Sequence, residues 1–148
     1  MKAIRIHQYG NVDSLQIDEV PVPEISTDEV LIKIHATSIN PIDWKVREGY
    51  LKGMNLHTLP LTLGWDVSGT IEKVGSEVKT LQKGNEVYSR PDVKRNGTYA
   101  EYIVVKANEV ALKPATISHI EAATIPLAGI TAWEMLVTEA KIEKGQKV

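Results

Sequence analysis

Glu29-Val30-Leu31-Ile32-Lys33-Ile34-His35-Ala36 is the stretch on which the fold turns. Apolar side chains recur at Val30, Ile32 and Ile34, the two-residue period of a β-strand with one buried face. Toward the amino terminus the same alternation runs from Ala3 to His7 and, after the turn-prone Gly10-Asn11, from Leu15 to Val20. Pro21 and Pro23 end that second strand, because proline removes a ladder donor. Toward the carboxyl terminus, Val67 to Val74 is a further β run, closed by the turn signal Gly75-Ser76-Glu77 ahead of Val78 and Leu81. Lys83 to Tyr88 and Gly97 to Val105 add two more.

Many short strands separated by Gly and Pro turns predict a closed or nearly closed β barrel, which leaves few unpaired edges. One helical interruption is expected at Pro41-Ile42-Asp43-Trp44-Lys45-Val46-Arg47-Glu48-Gly49, with Pro41 in the first turn and Gly49 as the C-terminal cap. The fold class is therefore mainly β with short helices over residues 1–117. After Pro114 the pattern changes. Ser118-His119-Ile120-Glu121 has the spacing of a capping box, and the helix it opens is expected to end at Pro126. A second helix is predicted from about Thr131 to Ala140, so 118–148 reads as the start of a second domain.

Composition narrows the function classes. The 148 residues carry 17 Lys and Arg against 19 Asp and Glu, a net charge of −2, which gives no field to gather nucleic acid or an anionic membrane. No stretch approaches the ~20 apolar residues that span a bilayer, and the amino terminus has no apolar leader, so a cytoplasmic location is expected. With no cysteine there are no disulfides and no thiolate ligands. The histidines, His7, His35, His57 and His119, lie far apart without metal-ligand spacing and are read as packing or surface residues.

Several fragments in order carry a resemblance: Ser38-Ile39-Asn40-Pro41-Ile42-Asp43, Leu63-Gly64-Trp65-Asp66-Val67-Ser68-Gly69-Thr70-Ile71, Val74-Gly75-Ser76-Glu77-Val78, Lys83-Gly84-Asn85-Glu86-Val87, Gly97-Thr98-Tyr99-Ala100-Glu101-Tyr102 and Ala122 to Ala132. Together they resemble the medium-chain dehydrogenase/reductase superfamily, and most closely its zinc-independent quinone oxidoreductases. The resemblance implies a GroES-like β-barrel catalytic domain followed by a Rossmann domain. Its Gly-rich loop, which holds the cofactor pyrophosphate on backbone N–H groups, is expected a few residues after Val148. The chain by itself is accordingly expected to be inactive, and the intact enzyme to be a homodimer through that second domain.

In the zinc alcohol dehydrogenases of the superfamily a cysteine matches Asn40, a His-Glu pair matches Trp65-Asp66, and a second cysteine lies near Leu127. A catalytic zinc needs about three protein ligands at ~2.0–2.3 Å, which Asn, Trp and Leu do not supply and Asp66 alone cannot replace. The resemblance thus implies hydride transfer without zinc, from NADPH with NADH as a second option, to acceptors that take hydride readily: quinones and α,β-unsaturated carbonyls. A zinc-type alcohol dehydrogenase-like protein and a non-catalytic GroES-like binding module are the alternatives.

The candidate residues follow, each with a plainer role beside the functional one. Asn40 is read as catalytic or cofactor-binding, its amide donating to the substrate oxygen or orienting the nicotinamide ribose, or as an N-cap. Asp43 either accepts a ribose hydroxyl or orders the Pro41-to-Arg47 turn. Lys45 and Arg47 either meet cofactor hydroxyls and phosphate or stay solvated. Tyr50 is a tentative proton donor or a lining residue of the cleft. Trp44 and Trp65 are aromatic surfaces for a quinone ring or core anchors, with the cleft preferred for Trp65. Thr131 matches a threonine on the carboxamide side of the nicotinamide, or serves as an N-cap. The glycines are structural, and Asn85 stands where an aspartate is usual.

Overall fold

The computed structural model describes residues 1–148. Strands β1 (Lys2–Ile6), β2 (Leu15–Glu19) and β4 (Leu61–Thr62) form one sheet in the order β2-β1-β4. The second sheet, in the order β7-β3-β5-β6-β8, joins β3 (Glu29–Ala36), β5 (Val67–Val74), β6 (Glu86–Ser89), β7 (Tyr102–Lys106) and β8 (Val110–Leu112). Every pairing is antiparallel. The helices are α1 (Pro41–Arg47), α2 (His119–Ala123) and α3 (Pro126–Trp133).

The Glu29–Ala36 strand occupies the position its alternation demands. It lies between β5 and β7, with Ile32 opposite both Ile71 and Ile103 and Val30 opposite Val74 and Val105. These β-branched residues close one core with Val67, Leu81 and Val87. Gly69 faces Ile34 across the β3–β5 pair, where any Cβ would strike the Lys33 carbonyl and the Ile32 side chain. A second core gathers Ile6, Val46, Leu61, Leu63 and Trp65 between the smaller sheet and α1.

The two sheets are not one continuous ladder. They are joined by the segment 97–101, whose backbone bonds to three strands or their flanks. Gly97 N and Tyr99 N donate to Thr62 O and Leu63 O, Ile4 N donates to Tyr99 O, and Ile34 N donates to Glu101 O. Glu101 N returns a bond to Lys2 O. The mainly β class is as expected, but the strands form two antiparallel sheets linked by this strap and no closed barrel, and the strand expected from Gly97 begins only at Tyr102.

Three further boundaries differ from the sequence reading. The strand placed at Lys83 starts at Glu86, because Gly84 with φ +89° makes a tight turn. The strands β4 and β8, two and three residues long, are too short to leave a periodic signal. Pro126 does not only follow α2: it stands in the first turn of α3, where its missing N–H costs nothing. Thr131 therefore lies inside α3 rather than at its N-cap, and the helix runs on through a π-helical stretch at Glu134–Glu139.

Candidate active site

Gly64 has φ +91°, and a Cβ there would overlap Tyr99 and Thr98. Only glycine allows the Leu63-Gly64-Trp65-Asp66 turn to approach the strap, and that turn sends Trp65 and Asp66 inward. Trp65 is 0 % exposed among Ile6, Val46, Leu61 and Leu63, its ring tilted 5.7 Å from that of His57. A side chain with no surface cannot stack on a quinone, so the cleft role expected for Trp65 is corrected: it is a core anchor.

Asp66, 1 % exposed, is the meeting point of the site. Its Oδ2 accepts from Ser38 Oγ at 2.5 Å and from Asn40 Nδ2 at 2.8 Å, while its Oδ1 accepts from the Leu127 backbone N–H at 2.7 Å. Its carbonyl accepts from Thr37 Oγ1 at 2.7 Å, and that hydroxyl shares a 2.7 Å bond with the Thr98 hydroxyl. Leu127 is in the first turn of α3, so Asp66 satisfies a backbone donor that the helix itself leaves unpaired.

Asn40 is the N-cap residue of α1 and shares a capping box with Asp43. Its Nδ2 donates to Ser38 Oγ at 2.9 Å as well as to Asp66. These two acceptors lie together on one side of Nδ2, so the Asn40 amide is held to the Ser38–Asp66 pair. Asp43 is buried, and its Oδ2 accepts from Asn40 N at 2.6 Å and from the Tyr99 hydroxyl at 2.9 Å. Burial pushes the Asp43 carboxyl above the usual carboxylate range, helped by the neighbouring Asp66 and opposed by its two donors. Burial and Asp43 together raise the Tyr99 phenol far above its ordinary value. Buried and bonded through Oδ2 to Asn40 N and to the Tyr99 hydroxyl, Asp43 orders the turn.

On the outer side of α1 the chain leaves a different surface. Tyr50 is 70 % exposed and packs edge-on to Trp44 at 5.6 Å, with Lys45 Nζ 5.7 Å from the Trp44 ring. Ile39, just ahead of α1 in the chain, is 86 % exposed. Arg47 turns away, its Nε donating to Gly10 O at 3.2 Å and its guanidinium pairing with Glu48 at 2.7 Å. Thr131 is exposed on α3, the helix that Asp66 holds.

The structure therefore brings Asn40, Asp43, Trp44, Lys45 and Tyr50 to one turn, ties Thr131's helix to it, and removes Trp65. Ser38, Thr37, Thr98, Tyr99 and the Leu127 N–H were not singled out from sequence. Their one legible sign was Asp66, a carboxyl in an apolar strand entry with no basic neighbour. His35 and His119, 84 positions apart, stack at 4.4 Å, a contact no spacing rule reveals.

Residues 26–115 match the model of the alcohol dehydrogenase GroES-like domain. The chain belongs to this family. Among relatives, the GroES-like chain is 46 % identical over 143 residues to 2-methylene-furan-3-one reductase of Solanum lycopersicum, covering 92 % of this chain and 37 % of that protein. It is 44 % identical over 144 residues to the chloroplastic NADPH-dependent alkenal/one oxidoreductase of Arabidopsis thaliana, with 93 % and 37 % covered. The structure of the quinone oxidoreductase from Coxiella burnetii superposes with a TM-score of 0.88 at 34 % identity, covering 98 % of this chain and 46 % of that one. The GroES-like chain thus spans less than half the length of each. No helix in it is long and apolar enough to cross a membrane.

Proposed function

We propose that this GroES-like domain forms one wall of the active site of an NAD(P)H-dependent oxidoreductase that reduces quinones or α,β-unsaturated carbonyls by hydride transfer without zinc. The observation that carries the reading is the donor set around Asp66. Both its oxygens face N–H and O–H donors, at the place where a metal-dependent relative would need ligands. Asn40 and Leu127 add no lone pair suited to zinc, and Trp65 is a core residue. The names of the relatives, a furanone reductase, an NADPH-dependent alkenal/one oxidoreductase and a quinone oxidoreductase, agree with the acceptor class.

The bound nicotinamide supplies the hydride. Residues of this chain shape the pocket around it: the Trp44–Tyr50 pair offers an aromatic wall suited to a flat acceptor. In this reading the exposed Tyr50 phenol donates a hydrogen bond or a proton to the reduced oxygen. Lys45 lies beside that wall as a cation for cofactor hydroxyls or phosphate, and Thr131 on α3 fits the carboxamide side. Asn40 and Asp43 act by holding this turn in shape. NADPH is the assigned cofactor, with NADH second. Residues 1–117 are assigned as the catalytic domain and 118–148 as the start of the cofactor-binding domain, in a cytoplasmic homodimer.

The test is NADPH consumption by the full-length protein with benzoquinone and with a medium-chain 2-alkenal, before and after chelation, alongside elemental analysis. Turnover that survives chelation is expected, and none from residues 1–148 alone. Stoichiometric zinc whose removal abolishes turnover would overturn the zinc-free reading.

A further inference from the structure

Asp66 links two elements that the proposed reaction must hold at a fixed separation. From one side it takes Ser38 and Asn40, which begin the turn carrying Trp44, Lys45 and Tyr50; from the other it takes the first-turn N–H of α3, which carries Thr131. No arginine, lysine or histidine pairs with it. A buried carboxyl without a cation is expensive unless several donors converge on it, and three do so here from segments 26, 28 and 61 residues away. An asparagine at this position would satisfy fewer of them, since its amide group brings donors to face donors.

We infer that Asp66 is a positioning residue for hydride transfer, setting the distance between the acceptor side at the α1 turn and the cofactor side at α3. The inference rests on the functional reading above. A group that only sets distance affects the chemical step far more than ground-state binding, and a misplacement of about 1 Å costs roughly 100-fold in rate. Asp66→Asn in the full-length protein is therefore expected to lower kcat by about 10- to 100-fold while leaving KM for NADPH and quinone within about twofold. Asp66→Glu, which keeps an acceptor-only group, should recover part of that loss.

A second measurement does not depend on turnover. Ser38 does not bond to Leu127, so faster amide exchange at Leu127 in Ser38→Ala is expected only if the two communicate through Asp66. The same acceleration should appear in Asp66→Asn. An active wild-type enzyme whose Asp66→Asn variant keeps its kcat, or a Leu127 amide unchanged in Ser38→Ala, would overturn the inference. If Asp66→Asn does not fold, Ser38→Ala carries both tests, with a smaller fall in kcat expected. Wild-type protein that neither binds nor oxidises NADPH sinks the functional reading itself, whatever the exchange data show.

Discussion

Tyr99 donates to a carboxyl that has one other protein donor, so removing its hydroxyl leaves Asp43 Oδ2 with Asn40 N alone. Tyr99→Phe is expected to destabilise the chain by about 2 kcal/mol, the scale for a lost hydrogen bond to a buried charged acceptor, measured as a shift of the urea midpoint with unchanged slope. At this scale the sequence was half legible. Asn40 and Asp43 stood out because they match positions of the resembled family, and the capping box joins them. Their hydrogen-bond partners were hidden, because Ser38, Asp66 and Tyr99 meet only through tertiary contact. Trp65 misled for a related reason: residue type says that a tryptophan is large and flat, and only packing says whether a ligand or Leu63 covers it.

Among the elements, β3 and β5 carry the molecule, and their closeness depends on Gly69. Its replacement by Ala would press a methyl into the Lys33 carbonyl of the neighbouring strand, and overpacking against backbone that cannot yield is expected to cost about 3 kcal/mol. Thermal unfolding of Gly69→Ala checks this. A melting temperature equal to that of the wild type would show that the pair can part without loss. Long strands were legible because eight residues give an unambiguous period; β4 and β8 were not. Pro126 shows the ambiguity of a breaker read alone: proline ends one helix and begins the next with equal ease, and here it follows α2 and stands in the first turn of α3.

For the molecule as a whole, α2 docks on the larger sheet through a histidine pair. His119 Nδ1 shares a 2.8 Å bond with Ser68 Oγ and the ring stacks on His35, while Glu86 stands 3.4 Å from its Nε2 and Lys113 pairs with Glu86 at 3.3 Å. Partial burial, His35 and Lys113 lower the His119 pKa, and Glu86 opposes them without prevailing. The unfolded chain then binds the proton more readily, so this group's contribution is fully present above about pH 6.5 and is lost as pH falls toward the depressed folded value. Melting temperature should drop from neutral pH toward about pH 5, and His119→Gln should flatten that dependence. A profile identical in both proteins would remove the histidine pair from the account. None of this coupling could be read from four scattered histidines.

The strap of residues 97–101 bears on motion. Because one short segment is stitched to the Thr62–Leu63 edge, to β1 and to β3, the two sheets cannot swing against each other without breaking every stitch at once. They behave as a fixed jaw. A pivot beyond Thr124, where the last α2 turn ends, would have to break the Asp66–Leu127 bond and lift Leu127 from the smaller core.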